Sequence, residues 1–297
     1  MPAPTTTGDH DVWSPVWLLS ELAEYYSSWL PQEHLATFRD RAAYNYLYRE
    51  GFRVISFPSP MCLSYNFFLW MDFSDPGDLL AWLVQQLLRA EEAGERVHIL
   101  SHVPVGKPEC LGAWGREYTR IVERFENTIV AHFHGHTHYD EFEVFYDTES
   151  NTRPTNIAYI TPSMTSHHGF NFGYRIYTVD AGHTEETYRV LDTETFVFDL
   201  EAANTAGPDV SPAWYKLYSA REDLEMENLL PDAWDELVHR LARDEDFYEK
   251  WLKYYNRAGP GGSDLGSKKT ILCDLITTSN LERRKCDKIL GHLDSYL

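Results

Sequence analysis

The feature that most constrains the fold is an alternation of strand and helix patterns between residues 52 and 133. Short runs rich in β-branched and aromatic residues predict strands at 52–57, 97–102 and 128–133. Between them, apolar residues recur at helical spacing after Asp75 and again over 113–126. Strand, helix and strand in this order are typical of a βαβ-type layered fold.

The remaining pattern divides the chain into two predicted domains. Further strands without helices between them favour a mixed or antiparallel sheet, and they are expected at 142–147, 156–161, 173–180 and 188–199. Beyond Ala206-Gly207-Pro208, helices are expected at 212–220, 231–243, 244–256 and 268–297. We therefore predict an α/β domain over residues 1–207 and a helical C-terminal domain over residues 208–297.

The composition argues against several classes of protein. The 297 residues are 43% hydrophobic, which is enough to bury a core, and no apolar run approaches the length that spans a bilayer. The formal charge of −20 argues against nucleic acid as a partner. Residues 1–7 have neither the basic nor the apolar region of a secretory signal, so none is expected there.

The densest group of metal-binding side chains follows the predicted strand at 128–133. His136 and His138 lie just beyond that strand, and Gly135 permits a close turn that directs both rings to one cavity. His102 ends another predicted strand, and the carboxyl ends of neighbouring strands in an open α/β sheet meet at one crevice. Neutral imidazole is a common zinc ligand, so the three histidines predict a metal site. A polar turn is the alternative for the His-Thr-His segment.

Further histidines and acidic residues flank the His-Thr-His segment. His132 and His134 precede the turn and are interpreted as strand residues. The acidic residues Asp140, Glu141 and Glu143 either orient a ligand imidazole or form a solvated acidic turn.

A carboxylate near the N-terminus is a further candidate. A carboxylate that bridges two metal ions makes a dinuclear centre suited to in-line attack on phosphorus. Asp9, in Gly8-Asp9-His10-Asp11, is the candidate bridge. A Gly-Asp dipeptide in a segment rich in proline and threonine is also typical of a plain loop.

Gly135-His136-Thr137-His138 and the acidic extension to Asp147 resemble the last metal motif of the acid sphingomyelinase (sphingomyelin phosphodiesterase) family. Val97 to Pro104 and Gly173 to Tyr177 resemble other segments of that family, and the likeness covers roughly Val16 to the C-terminus. The Gly-His-x-His element is shared by the whole calcineurin-like metallophosphoesterase superfamily. The acidic extension is more specific, and it resembles the sphingomyelinases more than their nucleotide-cleaving relatives. The resemblance implies an α/β calcineurin-like metallophosphoesterase sandwich, partial in this chain, with a C-terminal helical domain.

The resemblance also implies an activity and a set of site residues. It implies a zinc-dependent phosphodiesterase that hydrolyses sphingomyelin to ceramide and phosphocholine, with two Zn²⁺ ions in the intact family site. His102 and His136 would bind one zinc ion and His138 the other. Asp9 would bridge the ions, and His10 would be the catalytic residue that protonates the leaving ceramide oxygen.

The chain departs from the family pattern on its N-terminal side. The family has three residues between Thr-Gly-Asp and His-Asp-Val-Trp, whereas His10 directly follows Asp9 in this chain. The Asp-x-His and Gly-Asn-His motifs of the family are absent from the sequence. The resemblance is therefore to an N-terminally incomplete form that would hold one zinc ion or fewer. The alternative function is a truncated, catalytically inactive sphingomyelinase-like protein that acts only by binding metal, lipid or a partner.

The resemblance gives the cysteines a role as well. It implies one disulfide between Cys62 and Cys110 and another between Cys273 and Cys286, and hence an oxidising lysosomal or secreted location. The implied partners are sphingomyelin or a related phospholipid and a peripheral membrane surface. Oligomeric state stays open.

Overall fold

The fold is given by a computed structural model, which describes residues 16–66, 75–261 and 266–279 together with Cys286 and Leu290. The helices of these ranges are α1 (Val16–Tyr26), α2 (Gln32–Arg41), α3 (Leu79–Glu92), α4 (Gly112–Arg124), α5 (Leu200–Ala206), α6 (Ala220–Asp223), α7 (Pro231–Arg243), α8 (Glu245–Tyr255) and α9 (Lys268–Leu275). The strands are β1 (Tyr44–Arg49), β2 (Phe52–Ser56), β3 (Arg96–Leu100), β4 (Ile129–His134), β5 (Glu141–Tyr146), β6 (Pro154–Ile160), β7 (Phe172–Val179), β8 (Val190–Phe198) and β9 (Tyr215–Ser219). None of these helices combines the length and apolar character that a bilayer crossing needs.

The strands form two sheets. The larger sheet has the order β1-β2-β3-β4-β6-β5, and the smaller has the order β7-β8-β9. In the larger sheet β2, β3, β4 and β6 are parallel, while β1 and β5 pair antiparallel at the two edges. The sequence prediction of βαβ units followed by a mixed sheet is confirmed. The carboxyl ends of β3, β4 and β6 consequently lie side by side at one edge of the larger sheet.

Helices α3 and α4 cover one face of the larger sheet. Leu83 of α3 and Tyr118 of α4 are fully buried in one cluster with Ile99 and Ile129 of the central strands. Burial of such large apolar side chains contributes about 1.5–3 kcal/mol each. The apolar spacing of α3 and α4 in the sequence therefore marks the faces that pack on the sheet.

The smaller sheet and the C-terminal helices cover the opposite face. Tyr177 of β7 packs against Phe133 of β4, with ring centroids 4.7 Å apart. Trp234 of α7 packs against Phe142 of β5 at 4.4 Å. Because both faces are covered, all six residues of β5 are buried, including its two glutamates.

Two cystine bridges support these layers, as the resemblance implies. Cys62–Cys110 joins the segment after β2 to the loop between β3 and α4, and the Leu111 amide donates to the Cys62 carbonyl at 2.7 Å. Cys273 of α9 pairs with Cys286. Both predicted disulfides are confirmed.

The C-terminal region differs from the prediction in two elements. The helix expected at 268–297 is interrupted, because α9 ends at Leu275 and residues 276–279 are not helical. A helix was expected at 212–220, but this stretch contains strand β9, which pairs antiparallel with β8. Tyr218 of β9 stacks on Tyr254 of α8, with centroids 4.5 Å apart, and is almost fully buried. Tertiary pairing therefore overrides a local pattern that a helix also fits. Helices α7 and α8 match their predicted positions, while the domain boundary between residues 207 and 208 stays a prediction.

Candidate functional site

The end of β3 fixes the backbone of His102. Ser101 Oγ donates to the Phe57 carbonyl at 2.7 Å. Ser59 Oγ accepts from the amides of His102 at 3.1 Å and Val103 at 2.7 Å. Two serine hydroxyls therefore anchor the first turn after β3 to the neighbouring segment after β2, which leaves the half-buried imidazole of His102 at the sheet edge.

The end of β4 brings His136 to His102. The Gly135 amide donates to the His102 carbonyl at 2.9 Å, and a Cβ on Gly135 would lie 3.6 Å from His102 Nδ1. His136 then turns the chain with φ of 72°. The rings of His102 and His136 lie edge to face, with centroids 5.2 Å apart. The predicted convergence of these two histidines is thus present in the structure.

Glu109 is a third residue of this pair that the sequence analysis did not identify. His136 Nε2 lies 3.1 Å from Glu109 Oε1, and this hydrogen bond is the main cause that lowers the pKa of Glu109. The Glu109 carbonyl accepts from the Ser64 amide at 2.7 Å, and the next residue is the disulfide-bonded Cys110. A carboxylate that accepts a hydrogen bond from one ring nitrogen is the usual partner that orients a metal-binding imidazole.

His138 faces a different set of partners. Its ring centroid lies 5.5 Å from that of His167 and 6.3 Å from that of His168, in the loop after β6. Within the described ranges, the only three potential metal ligands whose donor atoms all lie within 4.8 Å of one another are His138, His167 and His168. Partial burial lowers the pKa of His138, and the neighbouring His167 and Arg257 lower it further.

The two N-terminal candidates cannot be placed beside these residues. Asp9, the predicted bridging carboxylate, and His10, the predicted catalytic histidine, lie outside the described residues. Their roles remain predictions.

His132 and His134 are strand residues, as predicted. Both lie in β4 and are almost fully buried on the face that α4 covers. His132 Nδ1 lies 3.0 Å from Tyr118 Oη, and burial lowers the pKa of His132 well below its ordinary value. His134 Nδ1 lies 3.2 Å from the Val103 carbonyl, and burial lowers the pKa of His134 to about 3. Each ring is therefore neutral at physiological pH and belongs to the packed core beneath the site.

Asp140 is buried rather than solvated. Its described hydrogen bonds go to an arginine, a threonine and a tyrosine, and none goes to an imidazole. Asp140 is almost fully buried and pairs with Arg175 of β7, whose guanidinium donates to Asp140 Oδ1. Thr195 Oγ1 donates to Asp140 Oδ2 at 2.7 Å, and the hydroxyl of Tyr218 donates to Oδ1. One carboxylate therefore joins the start of β5 to all three strands of the smaller sheet.

Glu141 and Glu143 are also buried, so the solvated acidic turn, one of the two alternatives for these residues, is wrong for them too. Lys107 Nζ donates to Glu141 Oε2 at 3.0 Å, and both side chains are buried. Burial raises the pKa of Glu143 to about 8, although the nearby Lys107 acts in the opposite direction. The ion pair between Lys107 and Glu141 thus holds the loop after β3 against β5.

Comparisons with known proteins give this chain a family context. It is 42% identical over 251 residues to sphingomyelin phosphodiesterase of Bos taurus, which covers 84% of this chain and 40% of that protein. It is 40% identical over 266 residues to the Homo sapiens sphingomyelin phosphodiesterase, covering 90% of this chain and 41% of that one. It is 35% identical over 291 residues to sphingomyelin phosphodiesterase 2 of Caenorhabditis elegans, covering 97% and 47%.

No family model matches the chain. A solved dimetal phosphatase from Danio rerio aligns with 72% of each chain at a TM-score of 0.39 and 16% identity. The chain spans less than half the length of the three relatives described above. Over most of its own length, this chain is therefore a homologue of the sphingomyelin phosphodiesterases.

Proposed function

We propose that this chain forms the site of a zinc-dependent phosphodiesterase that hydrolyses sphingomyelin to ceramide and phosphocholine. The observation that supports it is the pairing of His102 with His136 across two neighbouring strand ends, 5.2 Å apart between ring centroids. That pairing lies in a chain homologous to proteins named sphingomyelin phosphodiesterases, which are hydrolases.

The donor set at these strand ends fits zinc. Two imidazoles approach each other, and the Glu109 carboxylate lies 3.1 Å from Nε2 of His136, as carboxylates commonly do beside metal-binding histidines. A zinc ion bound there would supply Lewis-acid stabilisation of the negative charge that develops on the phosphoryl oxygens. His102 and His136 would hold that ion, and Asp9 and His10 keep their proposed roles as bridge and proton donor.

The alternative function is a catalytically inactive protein that binds metal, lipid or a partner. The observation that favours it is that His138 groups with His167 and His168, two residues outside the predicted ligand set. If His138 binds a metal there, the His102–His136 pair has one predicted ligand fewer, whereas in-line attack on phosphorus at a dinuclear centre needs two ions held together.

Phosphocholine release from sphingomyelin in mixed micelles tests the proposal. With the full chain and added zinc chloride we expect zinc-dependent release that His136→Ala abolishes. His183→Ala is the matched control, because His183 is exposed on the turn between β7 and β8 and pairs with Asp180. About two zinc ions per chain with turnover support the phosphodiesterase. One ion or fewer without turnover supports the inactive alternative.

We also propose a lysosomal or secreted location, where the chain meets phospholipid at a membrane surface. The two disulfides support this location, since such bonds persist in oxidising compartments and are rare in the cytosol. Thiol labelling of the chain in cells lysed under alkylating conditions tests it. Blocked cysteines are expected, and four reactive thiols would contradict the proposal.

A further inference from the structure

A second group of imidazoles lies beside the proposed site. Strand β6 runs parallel to β4, so the loop after β6 emerges at the same sheet edge as the turn after β4. The loop carries His167 and His168, whose ring centroids lie 4.0 Å apart. His138, from the turn after β4, completes the group, with donor atoms of all three residues within 4.8 Å of one another.

The loop that carries His167 and His168 has a fixed backbone. Arg257 is fully buried and donates to the carbonyls of Ser163 and Thr165, the second at 3.2 Å. A Cβ on Gly261 would lie 1.7 Å from the His168 carbonyl oxygen, and the Gly261 amide donates to the Gly169 carbonyl at 3.2 Å. This packing requires glycine at position 261 and holds the exposed histidines in one geometry.

The rings and backbones of this group are also constrained. His168 stacks on Tyr139 at 5.9 Å with an interplanar angle of 16°, and Tyr139 stacks in turn on the buried Tyr255 at 4.5 Å. His138 and His168 have positive φ values of 67° and 64°. Non-glycine residues adopt this left-handed region rarely, and they keep it only where the surrounding structure enforces it. The fold therefore holds both imidazoles in place before any ligand arrives.

The chemistry of the group points to one class of ligand. Three imidazole nitrogens can occupy three positions of a tetrahedral zinc ion and leave the fourth to water or a substrate oxygen. His167 and His168 are exposed, so a metal can reach the group from solvent. Imidazole suits zinc, copper and nickel, whereas Mg²⁺ and Ca²⁺ prefer oxygen ligands.

We propose that His138, His167 and His168 form a three-imidazole site for a divalent transition metal, with zinc the favoured ion. The site shares no residue with the His102–His136 pair and uses two histidines to which the family resemblance gives no metal-binding role. It does not depend on the proposed phosphodiesterase activity, since binding of the metal requires only these three side chains.

Zinc titration by calorimetry of the full chain, repeated with Co²⁺ and visible absorption spectroscopy, tests this site. We expect the double variant His167→Gln/His168→Gln to weaken zinc binding at one site by at least about 100-fold. Loss of one outer-shell partner already costs up to about 100-fold, and this variant removes two of the three proposed ligands. The same pair should remove the absorption bands of tetrahedral cobalt. Excess Mg²⁺ should leave zinc binding unchanged.

Two control variants keep the test decisive. His183→Gln changes an exposed histidine elsewhere and should leave zinc affinity and stoichiometry unchanged. His102→Gln should leave the cobalt spectrum of the three-imidazole site in place. Zinc affinity and cobalt bands that survive the double variant overturn the proposal. Loss of sphingomyelin turnover in His136→Ala with these bands intact concerns the proposed function alone, so the two failures are distinguishable.

Discussion

The buried carboxyl of Glu143 predicts a specific dependence of stability on pH. Glu143 lies on β5 with no exposed surface, and a Cβ on Gly106 would lie 3.0 Å from its Oε1. The charged groups around it are Lys107, Glu141 and Asp274, and burial is the main cause that raises the pKa of Glu143 to about 8. The ordinary value of 4.5 applies to the unfolded chain.

The direction of the effect follows from proton binding. Because the pKa of Glu143 is higher in the folded chain, the folded chain holds the extra proton between pH 4.5 and about 8. The stability that this proton contributes is complete below pH 4.5 and is lost as the pH rises through about 8. Between roughly pH 6.5 and 8.5, linkage gives a loss of about 2 kcal/mol from this one group.

The buried histidines change stability with pH in the direction opposite to Glu143. Burial lowers the pKa of His98 to about 4 and that of His134 to about 3, so both are neutral in the folded chain. Their contribution to stability is complete above their ordinary pKa of 6.5 and is lost as the pH falls. Between pH 6.5 and 8.5 each of them still adds about 0.4 kcal/mol of stability. The effect of Glu143 is therefore measured as the difference between wild type and Glu143→Gln, in which the histidine contributions cancel.

Guanidinium unfolding followed by tryptophan fluorescence measures this slope. The wild-type chain should lose about 2 kcal/mol more than Glu143→Gln between pH 6.5 and 8.5, because glutamine does not titrate. Glu149→Gln, on the exposed turn after β5, is the control and should keep the wild-type slope. The reasoning is refuted if wild type and Glu143→Gln lose the same stability between pH 6.5 and 8.5, to within about 0.5 kcal/mol.

Three further changes test the packing around the site. Asp140→Asn leaves the buried Arg175 without its counter-ion and should cost about 3–5 kcal/mol in guanidinium unfolding, and a loss below about 1 kcal/mol would contradict the ion pair. Gly106→Ala would place a Cβ 1.7 Å from the Thr277 carbonyl oxygen, so thermal melting should show about 1–3 kcal/mol of destabilisation. Cys62→Ser opens a loop with a sequence separation of 48 and should lower the free energy of unfolding by up to about 4 kcal/mol. An unchanged melting temperature in either variant would contradict the respective contact.

Local pattern was sufficient for part of the fold and part of the site. The periodicities of α3, α4, α7 and α8 and the positions of the central strands follow from residues close in sequence. His102 and His136 could be placed together because each follows a strand of one βαβ unit, and adjacent parallel strands end at the same edge.

The remaining features depend on contacts between distant segments. His167 joins His138 only because β6 pairs with β4 while β5 moves to the edge, and no short pattern encodes that order. Asp140 resembles a solvated residue in sequence because its cation, Arg175, lies on another sheet. Glu109 approaches His136 through a loop whose course is set by a disulfide partner 48 positions away.

Strand β9 has a practical consequence for dissecting this protein. It lies beyond the predicted boundary at 207/208, yet it supplies the outer strand of the smaller sheet, and its Tyr218 donates to Asp140. A fragment ending at residue 207 would leave β8 with unpaired amide and carbonyl groups and would remove one donor from a buried carboxylate. Such a fragment should precipitate or self-associate through that bare strand, so deletion experiments need an end point beyond Ser219.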